Sequence, residues 1–171
     1  MTEDKIHKIN YTLNQLGKRI LPQYFYEMSP DKMNQWQNQI CRQSHVIAAH
    51  FLNRWLNTPV QNYEIKFYES KFFDPVLSME YDHSWLWIRS WNGPRETFIC
   101  DIARVAQHIG FVSSDMNTPE TFLKGDKEVP GERKSFEWQK LLQEKEYYTG
   151  LTGLFIVSAI ETRMRNCKLN F

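Results

Sequence analysis

The chain has 171 residues, of which 42% are hydrophobic, 24% charged and 15% aromatic, a globular mixture that excludes disorder over its whole length. The length suits one domain, which at this size buries roughly 70% of its unfolded surface and needs no staple. The 21 Lys and Arg against 20 Asp and Glu leave a net charge of +1, without the basic excess of a nucleic-acid binder. Cys41, Cys100 and Cys167 are too few, and odd in number, for a secreted disulfide framework. No signal peptide follows the charged N-terminus, and the strongest apolar run, residues 154–160, is too short to span a bilayer. The expected setting is cytoplasmic and the expected partner is a protein, not nucleic acid or membrane.

Ile6, Ile9, Leu13, Leu16 and Ile20 recur at helical spacing, predicting an amphipathic helix over 3–21 that ends near Gly17 to Pro22. Ser29-Pro30-Asp31 has the form of a helix start, with a short helix to about Trp36. An amide-rich stretch, 34–39, follows. Ile40, Ile47, Ala48, Phe51, Trp55 and Leu56 mark a long helix ending before Pro59. Beyond it the period becomes two. Tyr63, Ile65 and Phe67 predict one strand, and Tyr81, His83, Trp85 and Trp87 a second. Asn92-Gly93-Pro94 is a turn leading to a third strand, 96–101, so the last two form a hairpin. Residues 102–109 read as a short helix, 112–134 as a surface loop and 135–148 as a helix. Residues 151–165 read as a helix, with a strand as the alternative. The fold class is α+β, with N-terminal helices on a small antiparallel sheet. One domain spans 1–171, with 1–30 as a helical extension.

Three residues in this layout suggest chemistry. Cys41 falls near the start of the long helix, where free N–H groups and the helix dipole favour a thiolate and hold an oxyanion. His83 and Asp101 lie about equally far from the Asn92-Gly93-Pro94 turn, so pairing of their strands brings them together. A carboxylate on Nδ1–H would then leave Nε2 facing the thiol, the nucleophile, base and orienter logic of a triad. No metal motif or Gly-rich phosphate loop competes, and no cofactor is expected. His45 and His50 share the Cys41 helix but lack the Glu of a zinc-protease pattern. Each residue also has a plainer reading. Cys41 suits a buried position on an amphipathic helix, His83 an aromatic strand face, and Asp101 the N-cap of a following helix.

The segments Cys41-Arg42-Gln43-Ser44, His83-Ser84-Trp85 and Ile99-Cys100-Asp101 occur in an order that resembles the papain-like and transglutaminase-like thiol enzymes. The spacing is similar to the glutamine deamidases of bacterial toxins and effectors, and to small bacterial leader-peptide proteases. The resemblance covers roughly 35–105. It implies Cys41 as nucleophile, His83 as base and Asp101 as orienter, with Gln35 or Gln39 as oxyanion donor. The chain departs from the papain pattern in having no Gly-Ser-Cys-Trp environment and no Trp beside the cysteine. An exposed part of the tryptophan stripe, Trp85 and Trp87, is the expected substrate grip. The implied activity is glutamine deamidation or transglutamination, with proteolysis or a non-catalytic interaction module as alternatives. The implied setting then includes delivery into a target cell as an effector without a visible signal peptide.

Overall fold

The computed structural model describes residues 1–171 except 103–109, 116–124, 147–148 and 170–171, and of 32–39 it describes the backbone alone. Helix α1 (Glu3–Gln15) starts at Thr2, whose hydroxyl accepts the Lys5 N–H. The helical path does not end at Gly17 to Pro22 as expected. It passes through a π-helical turn, Leu16–Ile20, into α2 (Leu21–Met28). Pro22, which has no N–H to donate, lies in the first turn of α2, directly after the π-helical turn. Gly17 explains the turn's close packing: a Cβ there would come within 2.8 Å of the Ile102 carbonyl oxygen.

A short 3₁₀ turn, Pro30–Lys32, leads straight into α3 (Met33–Leu56). The expected break across the amide-rich stretch does not occur. Gln is a good helix former, and neither Gly nor Pro interrupts 33–56. Strands β1 (Tyr63–Asp74) and β2 (Met79–Ser90) form a long antiparallel hairpin, both running further than their alternation marked. Then follow β3 (Thr97–Asp101), β4 (Gly110–Ser113), β5 (Lys127–Glu128) and β6 (Lys134–Phe136). The described sheet is antiparallel, in the order β4-β3-β2-β1-β5, with β6 also on β1. Residues 112–134 are therefore not one loop, since β5 and β6 add short edges to β1. Among the described residues of 135–148, the expected helix is α4 (Trp138–Gln143), and α5 (Gly153–Asn166) settles the helix-or-strand alternative. The expected helix over 102–109 lies largely outside the described residues. The molecule is α+β.

One face of the sheet supplies Phe67, Leu86, Ile88, Phe98 and Cys100 to the main core, against Ile47, Phe51 and Leu52 of α3. Each such side chain contributes about 1.5–3 kcal/mol on burial. The segment 1–30 is no appendage. Ile9, Leu13, Leu16, Leu21 and Phe25 belong to that same core. Asn10 also replaces a missing strand on β4, donating to the Phe111 carbonyl (2.7 Å) and accepting its N–H (2.6 Å). The other face carries a smaller cluster, Phe72, Trp85 and Ile99, with Tyr68, Tyr81 and Trp87 packed beside it. Among the described residues, no helix is long and apolar enough to cross a membrane.

Candidate active site

The β2–β3 ladder runs from Arg89↔Thr97 to Leu86↔Cys100 and stops. Continued, that register would set Asp101 opposite Trp85 and Ile102 opposite Ser84. The orphaned backbone groups turn to α3 instead. The Ser84 N–H points at Cys41 Sγ, 3.2 Å away, and Sγ lies 3.4 Å from the Ser84 carbonyl oxygen. Across the gap the Ile102 N–H donates to His45 Nε2 at 3.0 Å. Cys41 and His45, one helical turn apart on α3, stand where a strand would have been.

His83 projects from the sheet face opposite to Ser84. It sits edge-on to Phe72 and stacks beside Trp85, with centroids 5.6 and 6.3 Å away. Because β3 has left the β2 edge, the imidazole reaches round it. Nδ1 lies 3.4 Å from Cys41 Sγ, and Nε2 lies 2.7 Å from Asp101 Oδ2. Asp101 is a diagonal cross-strand neighbour of His83, not its direct opposite. Its other oxygen lies 3.4 Å from His45 Nε2. The two ring nitrogens of His83 are thus exchanged relative to the sequence expectation: Nε2, not Nδ1, meets the carboxylate. His83, Asp101 and His45 are buried, whereas Cys41 is half-buried.

The charges in this cluster support one another. Burial raises a thiol's pKa, but the charged His83 ring, with a hydrogen bond from His45 contributing, outweighs burial and brings Cys41 down to about 6. Burial also opposes charge on His83. Asp101 first and Cys41 second overcome it, holding the ring well above the usual histidine range. For Asp101 burial again opposes ionisation, and the His83 imidazolium keeps the carboxyl well below its usual range. Cys100 provides the control within the molecule. Buried next to Asp101, with no cation offsetting the carboxylate, its thiol is pushed well above the ordinary value.

A cleft of about 380 Å³ lies beside Cys41, on the helix-side face of the hairpin. Arg42, Glu69, Lys71, Asp82, Ser84 and Lys134 line it along with Cys41. Arg42 Nε lies 3.0 Å from Glu69 Oε1, and the Ser84 hydroxyl donates to the same oxygen at 3.3 Å.

Several expectations are corrected here. Cys41 is not at a helix start. α3 begins at Met33, so the Cys41 N–H lies within the helical ladder and is no free oxyanion donor. The lowered pKa comes from the imidazoles. Trp85 is fully buried and offers no surface to a substrate, and Trp87 is partly buried under Lys66 and Arg89, 5.7 and 5.4 Å from its ring. Neither lines the cleft. The side chains of Gln35 and Gln39 lie outside the described residues. His45 was missed as a site residue. Its signal was the Cys41-x₃-His45 spacing, which puts both side chains on one helix face.

No family model, curated protein or solved structure matches this chain.

Proposed function

We propose that the protein is a thiol enzyme acting on amide carbonyls of proteins, on a variant of the papain-like and transglutaminase-like architecture. The observation that carries this reading is the relay from Cys41 Sγ to His83 to Asp101, with Cys41 lining the cleft. Near neutral pH, above the Cys41 value of about 6, the sulfur is a thiolate and His83 an imidazolium. The thiolate attacks the carbonyl carbon. The S–C bond forms and the π pair moves onto oxygen. As the tetrahedral species collapses, the C–N bond breaks and the nitrogen leaves with the His83 Nδ1 proton. His83 then takes a proton from water, whose oxygen attacks the thioester and expels the thiolate. Asp101 holds Nε2–H throughout and stabilises the imidazolium. The described N–H aimed at the reaction centre is that of Ser84.

Within this chemistry the resemblance favours the glutamine carboxamide, giving deamidation with water and transglutamination with an amine, as in bacterial effector deamidases. The polar walls of the cleft accord with a polar substrate group. The test compares lysate proteins treated with wild type and with Cys41→Ala by peptide mass spectrometry. The expected result is a mass gain of about one dalton at glutamine, produced by wild type alone, while the variant keeps its fold and loses the activity to the detection limit. New chain termini dependent on Cys41 would shift the reading to a protease. No Cys41-dependent change, together with an ordinary thiol titration, would remove the enzyme reading in favour of an interaction module.

A further inference from the structure

His45 has no part in the relay just described, yet its ring is fully buried inside the same cluster. Its Nδ1 lies 2.8 Å from the Cys41 carbonyl oxygen, one helical turn back, and 3.7 Å from Cys41 Sγ. Its Nε2 takes the Ile102 N–H at 3.0 Å. The groups facing the ring are Cys41 from α3, Asp101 from β3 and His83 from β2, the last with ring centroids 6.3 Å apart. Burial favours the neutral ring, while Cys41 and Asp101 pull its pKa up, to about 9. The Ile102 amide opposes that pull. A proton on Nε2 would point at the Ile102 N–H and strip it of its acceptor, and a buried amide left unpaired is costly. The neutral ring, protonated on Nδ1, satisfies both hydrogen bonds. That is the state the geometry selects.

We propose that His45 is a positioning residue: as the neutral Nδ1–H tautomer it joins α3 to the first residue after β3, and so fixes Cys41 and Asp101 on either side of His83. One bond fastens the Cys41 carbonyl. The other fastens the residue directly after Asp101. Without the second bond, the residue after Asp101 loses its tie to α3, the end of β3 is held in the sheet from the β4 side alone, and the carboxylate shifts against His83. The thiol would then lose the cation that lowers its pKa. This role rests on the reading of Cys41 as an activated thiol.

Two substitutions separate the two halves of the imidazole. In His45→Gln the carboxamide oxygen reaches the Nε2 position and can accept the Ile102 N–H. In His45→Asn the carboxamide reaches only the Nδ1 position and serves the Cys41 carbonyl. Cys41 alkylation by iodoacetamide is followed against pH in both. The expected result is a wild-type midpoint near 6 that His45→Gln preserves. His45→Asn should raise it, and at slightly acid pH the reaction slows roughly tenfold for every pH unit by which the midpoint climbs. Equal midpoints in the two variants, whether displaced from wild type or not, would overturn the proposal while leaving the activated thiol intact. An ordinary thiol midpoint in wild type would overturn both. A measurement on the unaltered protein covers the case of a variant that fails to fold. Long-range ¹H–¹⁵N spectra at neutral pH should show His45 as the neutral Nδ1–H tautomer, and a doubly protonated ring would overturn the proposal.

Discussion

β2 has a neighbour on each side, and the two ladders differ. Toward β1 the pairing runs without a break from Tyr63↔Ser90 to Asp74↔Met79. Toward β3 it stops at Leu86↔Cys100, with β2 continuing past it. An unbroken ladder uses its N–H and C=O groups in pairing and leaves nothing for chemistry. At the break, an N–H and a carbonyl of Ser84 become available to a thiol, and an imidazole from the far face gains passage to the same sulfur. The candidate site is what occupies the end of a ladder. Its precision derives from the sheet, since His83 and Asp101 stand on adjacent strands just past the last paired residues.

The strongest way to break this comparison is His83→Ala. Removing the ring leaves Asp101 buried without its closest partner, and severing one side of such a pair typically costs about 3–5 kcal/mol. The Cys41 thiol keeps its burial and loses the cation that overcame it, so its alkylation midpoint should climb from about 6 to the ordinary value near ~8.5 or beyond. The stability difference has a definite pH course. A raised histidine pKa stabilises fully below the unfolded value of ~6.5, and that part is lost as pH rises through the folded value. His83 is held well above the usual range. The gap between wild type and variant in urea unfolding should therefore be widest below ~6.5, narrow as the pH climbs past that value, and finish closing only in alkali. A variant that still alkylates with a midpoint near 6 would detach the thiol's acidity from His83.

Sequence pattern reached much of this site and missed some of it for identifiable reasons. Order and hairpin arithmetic brought Cys41, His83 and Asp101 together, because the Asn92-Gly93-Pro94 turn fixes which ends of β2 and β3 meet. The arithmetic missed by two residues, since the register sets Asp101 across from Trp85. A diagonal contact absorbed the error. Trp85 was misread because alternation reports two faces without saying which is wet. β2 is central, and His83, Ser84, Trp85 and Leu86 are all buried. The start of α3 was misplaced because polarity was read as a break, although composition there is compatible with a helix. His45 escaped notice because its role is to accept a backbone N–H from Ile102, 57 positions away. No local pattern encodes that.

A smaller effect is expected where the N-terminal helices touch the broken ladder. In Gly17→Ala the new Cβ would sit 2.8 Å from the Ile102 carbonyl oxygen and 3.0 Å from its Cβ. Backbone cannot give way as a side-chain end can, so the π-helical turn or the residue after Asp101 must move, at roughly 1–3 kcal/mol. Because Ile102 also donates to His45, the alkylation midpoint of Cys41 should rise along with the loss of stability. A comparable substitution beside the intact β1–β2 ladder should cost stability and leave the thiol alone. Gly17→Ala with lowered stability and an unmoved midpoint would show that the break tolerates displacement.

The weakest effect belongs to the cleft wall on the intact side. Arg42 pairs with Glu69 of β1 at 3.0 Å and lies over the Phe136 ring at 5.1 Å, yet its side chain is 46% exposed. Water and salt screen such a pair, and exposed ion pairs contribute about 0–1 kcal/mol. Arg42→Ala should therefore lower stability by less than about 1 kcal/mol. It should also leave the Cys41 midpoint in place, because the dominant cation acting on the sulfur is His83. Glu69 is the group that should respond. Burial already raises its pKa and Arg42 is the first influence lowering it, so the variant should hold its proton to higher pH. A carboxyl titration by NMR reads that directly. If the thiol moved with it, the charges of the β1 wall would have to be counted with those at the break, and the separation between the two ladders would be one of geometry without being one of electrostatics.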